Sequence, residues 1–384
     1  MNLFFLLFCV QVLTAQYSGA VLNGRTTGPL PFLEYGVGED RLGGAKMTFL
    51  DSNILVRVVD SINNKYKVLL SQNHFAYLPK ENFRVDSFYA PRLYHLSGDS
   101  HVFGDEFYDY VSVQLDERLP YRSIQEINPS RIVVDVFGTT SNTNWITQLS
   151  SASEIKNTWY VQQEDDVFRL YIELKHPQHW GYSIFYENNK LVIRVKRQPE
   201  DLSISKLKIA IDAGHGGDNT GERGKTSGVE EKELTLKYAK ELQQALTDEN
   251  ATIVMTREKD TSLQMVDRVL MMRQAAPDFL ISIHFNSSDI DTVRGVSTYY
   301  RYIGFRPLSQ CILKRMEELK LEEYGNVGNF NFGLNGPTDY PNCLVEVAFL
   351  SNRGDERKIL DPGFRKVVIV KIIAGIKDWL LSLK

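Results

Sequence analysis

The sequence predicts a multidomain chain. All-β modules come first, a small barrel and then a β-sandwich, followed by an α/β domain whose mainly parallel sheet is flanked by helices. Three observations carry this expectation. Short alternating apolar runs fill the first half, and the charged, proline-containing stretch Arg197-Gln-Pro-Glu-Asp201 interrupts them. Beyond it, apolar strands alternate with segments of helical spacing. A chain of 384 residues is long enough to bury several separate cores.

Residues Leu3 to Leu13 are almost wholly apolar and end in Leu-Thr-Ala15, the length of a signal-peptide core and too short to span a bilayer. No Lys or Arg precedes the run, which leaves a buried N-terminal element as the alternative to a cleaved leader over residues 1–15. Export follows from the leader, to the periplasm or the cell surface. With 43% hydrophobic and 24% charged residues the composition is that of an ordinary globular chain, and no integral membrane segment is expected. A net charge of -4 speaks against a nucleic-acid partner. Cys311 and Cys343 read as small buried hydrophobes that could otherwise pair.

The first module, residues 19–90, rests on Ile54-Leu-Val-Arg-Val-Val59 and Tyr66-Lys-Val-Leu-Leu70 around a turn at Asp60-Ser-Ile-Asn-Asn64. Phe75-Ala-Tyr-Leu-Pro79 reads as a further strand ended by proline. The next module, residues 99–197, strings together Tyr110-Val-Ser-Val-Gln-Leu115, Arg131-Ile-Val-Val-Asp-Val-Phe137, Phe168-Arg-Leu-Tyr-Ile-Glu-Leu174 and Lys190-Leu-Val-Ile-Arg-Val-Lys196. Repeated short strands with polar turns predict a sandwich. His176 and His179, split by a proline, read as part of a solvated loop. Residues 198–205 read as a linker.

From residue 206 to 384, Lys232 to Leu246, Leu263 to Ala276, Leu308 to Leu321 and Phe364 to Leu381 carry apolar residues at helical spacing, and apolar strands lie between them. In such sheets the strands' C-terminal ends carry the active site. The run Ile209-Ala-Ile211 ends at Asp212 and meets the turn Gly214-His-Gly-Gly217; Phe279-Leu-Ile-Ser-Ile-His284 ends in a second histidine, and Glu231 opens a helix. His215, Glu231 and His284 would therefore share one sheet edge, with imidazole and carboxylate donors that suit Zn2+ and room for a water. Glu346 interrupts the apolar strand Leu344-Val-Glu-Val-Ala348, a costly place for a carboxylate unless it serves a polar site as proton carrier or forms a structural ion pair. Asp212 either orients an imidazole through its second nitrogen or stabilises the turn. Arg257 either binds a substrate carboxylate or pairs with Asp260 or Asp267, and Asn286 either binds substrate or shapes its turn.

These residues carry a resemblance. Asp212-Ala-Gly-His-Gly-Gly217, Glu231-Lys232, Thr256-Arg257, Ser282-Ile-His-Phe-Asn286 and Leu344-Val-Glu-Val-Ala-Phe-Leu-Ser-Asn352 resemble the zinc-dependent N-acetylmuramoyl-L-alanine amidases of the Amidase_3 family, over roughly Lys206 to Leu381. The resemblance implies zinc on His215, Glu231 and His284 and a catalytic glutamate at Glu346. It also implies hydrolysis of the amide between N-acetylmuramic acid and L-alanine in peptidoglycan. The module at 19–90 is similar in rhythm to Src-homology-like barrels. The module at 99–197 resembles the AMIN module that localises cell-wall amidases, so a cell-division or envelope regulatory protein is an expected further partner. Phe285 and Ala348 stand where the family usually has alanine and glycine and are expected to narrow the site. The glycine- and aromatic-rich stretch Asn326 to Pro341 departs from the family's pattern. Two readings compete with an active amidase: a catalytically inactive wall-binding or regulatory protein, and a zinc carboxypeptidase.

Overall fold

The two-residue turns Asn63-Asn64 and Asn188-Asn189 close antiparallel hairpins, with Asn63 and Asn188 in the left-handed region that such turns require. The computed structural model describes residues 21–38, 42–92 and 94–384, so the apolar leader lies outside the described residues. Seven short strands between Leu22 and Val85 make one sheet. The next region, from His95 to Lys196, contributes a four-stranded and a six-stranded sheet. One buried apolar cluster runs through both regions, from Leu55 and Leu70 of the first to Leu119, Phe137 and Ile172 of the second. The two β modules thus share a core.

The C-terminal domain is built on six strands: β1 (Lys208–Ala213), β2 (Thr252–Met255), β3 (Phe279–Asn286), β4 (Val296–Tyr299), β5 (Glu323–Val327) and β6 (Asn342–Phe349). Their order is β2-β1-β3-β6-β4-β5, parallel throughout except where β4 meets β6. Helices α1 (Glu231–Asp248), α2 (Met265–Ala275) and α3 (Arg306–Glu317) lie between strands, and α4 (Arg353–Leu360) and α5 (Pro362–Leu381) follow β6. Side chains alternate along each strand. Ile209, Ile211, Phe279, Ile281, Ile283, Phe285, Val345 and Val347 pack into the large core with residues of α1, α3, α4 and α5. The intervening Ala210 and Leu280 belong to a smaller cluster with Val269 and Met272 of α2, Leu334, Tyr340 and Leu30. That second face has one helix; the 326–341 loop and a residue of the first β module complete its cover.

Expectations for two stretches need correction. The His176–Trp180 segment is no solvated loop: His179 and Trp180 are only 1% and 2% exposed. Trp180 packs 5.2 Å from Trp379 of α5, and the Gln178 side chain accepts from the Trp379 indole and donates to Gly304 O. Burial also pulls His179 down to about 4, against a hydrogen bond to the Glu126 carbonyl that works the other way. The segment is an anchor between domains, because the tryptophan that follows the histidines needs an apolar seat. Residues 198–205 are likewise bound rather than free: Leu202 and Ile204 are buried in the C-terminal core.

Candidate active site

Asp212, Ser282, His284 and Glu346 fall on the strand face opposite the large core, and His284 is the register partner of Glu346 across β3 and β6. His215 lies two residues past β1 with φ +61°, an uncommon conformation for a residue with a Cβ and of the kind that collects at functional sites. Gly214 before it has no room for a side chain: a Cβ there would lie 2.3 Å from the His284 ring. Glu231, the first residue of α1, reaches the same edge and is 2% exposed.

Three donor groups meet there. His215 Nε2 stands 3.0 Å from Glu231 Oε2, and His284 Nδ1 stands 3.1 Å from Glu231 Oε1. One ligand atom from each residue lies within 4.8 Å of the others. Bonds of about 2.0–2.1 Å in a tetrahedron place neighbouring ligand atoms roughly 3.3 Å apart, so the cluster has the spacing of a metal site. The supporting contacts point the same way. His215 Nδ1 pairs with Asn219 Oδ1 at 2.9 Å, which leaves Nε2 for an ion. Glu231 accepts from the backbone N–H groups of Phe285 and Glu222 at 3.0 and 2.9 Å. His284 Nε2 is buried without a hydrogen-bond partner, 4.0 Å from Asp212 Oδ2. Burial would raise the Glu231 carboxyl, but hydrogen bonds from His215 and His284 outweigh it and hold the group well below the usual carboxylate range. The donor set fits a zinc ion.

Beside the cluster opens a cleft of about 470 Å³. Asp218, Asn219 and Gln264 give it polar walls; Leu263, Met265 and Phe332 give it an apolar side. Phe332 stands edge-on to His284, ring centres 5.4 Å apart.

The chain is similar to known proteins at the level of family, relatives and solved structures. Residues 209–378 match the family model described as N-acetylmuramoyl-L-alanine amidase, Amidase_3, and residues 104–195 match the AMIN domain. Residues 209–378 thus carry an Amidase_3 domain. Among curated relatives, the probable cell wall amidase LytH of Staphylococcus epidermidis is 33% identical over 187 residues, covering 48% of this chain and 62% of that protein. The match thus spans less than two thirds of that relative's length. Among solved structures, an N-acetylmuramoyl-L-alanine amidase from Clostridium difficile 630 is 30% identical, covering 46% of this chain and 98% of the other with a TM-score of 0.44. The catalytic domain of CwlV, an N-acetylmuramoyl-L-alanine amidase from Bacillus (Paenibacillus) polymyxa, is 29% identical, with coverages of 46% and 99% and the same TM-score of 0.44.

Within the Amidase_3 domain the remaining expected residues divide. Asp212, 1% exposed, accepts from Arg268 Nη1 at 2.6 Å, Thr256 Oγ1 at 2.7 Å and Ser282 Oγ at 2.6 Å. It ties three elements together beneath the histidines. Arg257 does not face the cleft. Its guanidinium is buried and donates to the carbonyls of Ala213, Gly214, Lys232 and Lys259, stitching the turn after β1 to the start of α1. Asn286 donates to Tyr299 Oη at 3.2 Å and caps its own turn at Ser287. Phe285 does not narrow the site: strand alternation turns it into the large core, 5.0 Å from the Tyr238 ring. Ala348 is buried in that core too, where β6 carries one residue more than β3 between paired positions. Sequence reasoning missed Asn219, whose signal was an Asx residue in the turn after His215, and Phe332, which carries no local signal.

Proposed function

We propose that the chain is an exported, zinc-dependent amidase that cleaves the bond between N-acetylmuramic acid and L-alanine of peptidoglycan. The observation that carries this reading is the meeting of His215, Glu231 and His284 within 4.8 Å, in a segment matched to the amidase family. Glu346 lies on the same strand face as His284 and pairs with it in register.

A zinc ion held by these three residues would supply positive charge that polarises the scissile carbonyl and favours ionisation of water near neutral pH. The chain's own groups do the rest. Glu346 takes a proton from the attacking water and returns it to the departing amide nitrogen, so the carbonyl carbon gains the hydroxyl and the alanine amine leaves neutral. Asn219 and the backbone of Phe285 and Glu222 keep His215 and Glu231 oriented. The AMIN domain and the preceding module, read as a sandwich and a small barrel, would hold the enzyme on the wall or against an envelope regulatory protein. The reading places the protein outside the cytoplasm, in the periplasm or at the cell surface. No helix among the described residues is long and apolar enough to cross a membrane.

The test is elemental analysis of the purified full chain together with digestion of isolated sacculi, with and without chelator. Stoichiometric zinc and release of stem peptides with a new N-terminal alanine are expected. Loss of a C-terminal residue instead would mean a carboxypeptidase, and intact sacculi with zinc bound would mean an inactive binding protein.

A further inference from the structure

The 326–341 loop of the Amidase_3 domain is gripped by both β modules. Thr338 exchanges hydrogen bonds with Tyr182 of the AMIN domain: its carbonyl accepts from the Tyr182 N–H, and its hydroxyl donates to the Tyr182 carbonyl, each at 2.8 Å. The first module grips the loop at Asn331. Its Oδ1 accepts from the Lys46 N–H at 3.1 Å and from Arg301 Nη1 at 3.2 Å; its Nδ2 donates to Leu42 O at 3.2 Å and Gly44 O at 2.9 Å. Arg301 also donates to the Lys46 carbonyl. A carboxamide engaged at both ends, three times by the backbone of one strand and its approach, is a register pin.

The neighbours of that pin belong to the active site. Phe332 walls the cleft and meets His284 edge-on, while Phe330 packs 4.5 Å from Tyr299, the ring that receives the Asn286 amide. Gly333 follows with no space for a Cβ, which would lie 2.2 Å from Met265, the cleft's other apolar wall. The loop is thus pressed between the site and the first module.

We propose that Asn331 is a positioning residue for hydrolysis: by fastening the loop to the first β module it fixes Phe332 as the apolar wall of the substrate cleft. This rests on the amidase reading. Phe332, Met265 and Leu263 would receive the small apolar groups that flank the scissile amide, the lactyl and alanine methyls. The first module then supports the substrate site, through the Asn331 side chain, and is not only a tether.

A double-mutant cycle in the full chain tests this, with steady-state hydrolysis of a soluble muramyl peptide as the assay. Asn331→Ala and Phe332→Ala should each raise KM about five- to tenfold, leave kcat within about twofold, and retain zinc in full. The double variant should be no worse than Phe332→Ala alone, because Asn331 acts through that ring. Arg301→Gln, which removes a neighbouring contact of the same seam, should move KM in the same direction. Additive losses, an unchanged KM in Asn331→Ala, or a fall in kcat alone would overturn the assignment. Absence of hydrolysis by the wild-type chain, with zinc bound, would instead sink the amidase reading and this role with it.

Discussion

Asp212→Asn is the substitution whose cost can be worked most directly from the structure. The carboxylate is buried, 2.6 Å from Arg268, which is itself 4% exposed. With charge centres about 4 Å apart and an effective dielectric near 20, the attraction is worth about 4 kcal/mol. Asparagine would keep the shape and leave the guanidinium buried without its counter-charge, a loss of about 3–5 kcal/mol. In a domain of this size that lowers the melting temperature by roughly 10 °C. Chemical denaturation of the full chain is the assay, with the transition of the C-terminal domain followed through Trp379. Asp212→Asn combined with Arg268→Met, which removes both charges, should recover most of the loss. Burial pushes the Asp212 carboxyl up, but Arg268 and the other partners outweigh it and hold it below the usual value. Its contribution is therefore complete above about pH 4 and is lost as pH falls through the lower folded value; the acid limb of the stability curve should shrink in the variant. A single-variant loss under about 1 kcal/mol would refute the argument that this pair holds β1 to α2.

Glu346→Gln should retain zinc by elemental analysis while kcat falls about 10²–10⁴-fold, since it removes a proton carrier and no metal ligand; near-native turnover would remove Glu346 from the mechanism. His215→Ala should lose both metal and activity, and full zinc occupancy in that variant would deny it a ligand role. His179, neutral and buried with a folded value near 4, binds fewer protons than in the unfolded chain, so stability should fall by up to about 3 kcal/mol as pH drops from 6.5 to 4. His179→Asn should flatten that slope in pH-dependent denaturation, and an unchanged slope would show that another group is responsible.

The parts of the site that were legible in the sequence are those written by short-range pattern. Ile209-Ala-Ile211 before Gly214-His215, and Phe279 to Ile283 before His284, each announce a strand that delivers an imidazole to its end, because period-two burial and glycine turn chemistry act over a few residues. Glu231 at a helix start and Glu346 inside an apolar strand stand out by the cost of burying a carboxylate. What misled was also local. Arg257 resembled a substrate ligand because its position at a strand end is that of one; its donors are taken by carbonyls of the turn after β1, the start of α1 and its own loop. Phe285 had the appearance of an intruder in the site, although alternation from His284 already assigned it to the other face.

By itself, then, the sequence determined the order of modules, the strand ends that bear chemistry and the identity of the donor groups, since each follows from propensity and polarity within one element. Only the tertiary structure decided that the His176–Trp180 segment is an interdomain anchor, that Arg268 completes Asp212, and that Asn331 joins the cleft wall to a strand 285 residues away. The physical reason is that such contacts depend on packing between distant segments. A lone asparagine or tryptophan leaves no periodic trace of the partner it will meet.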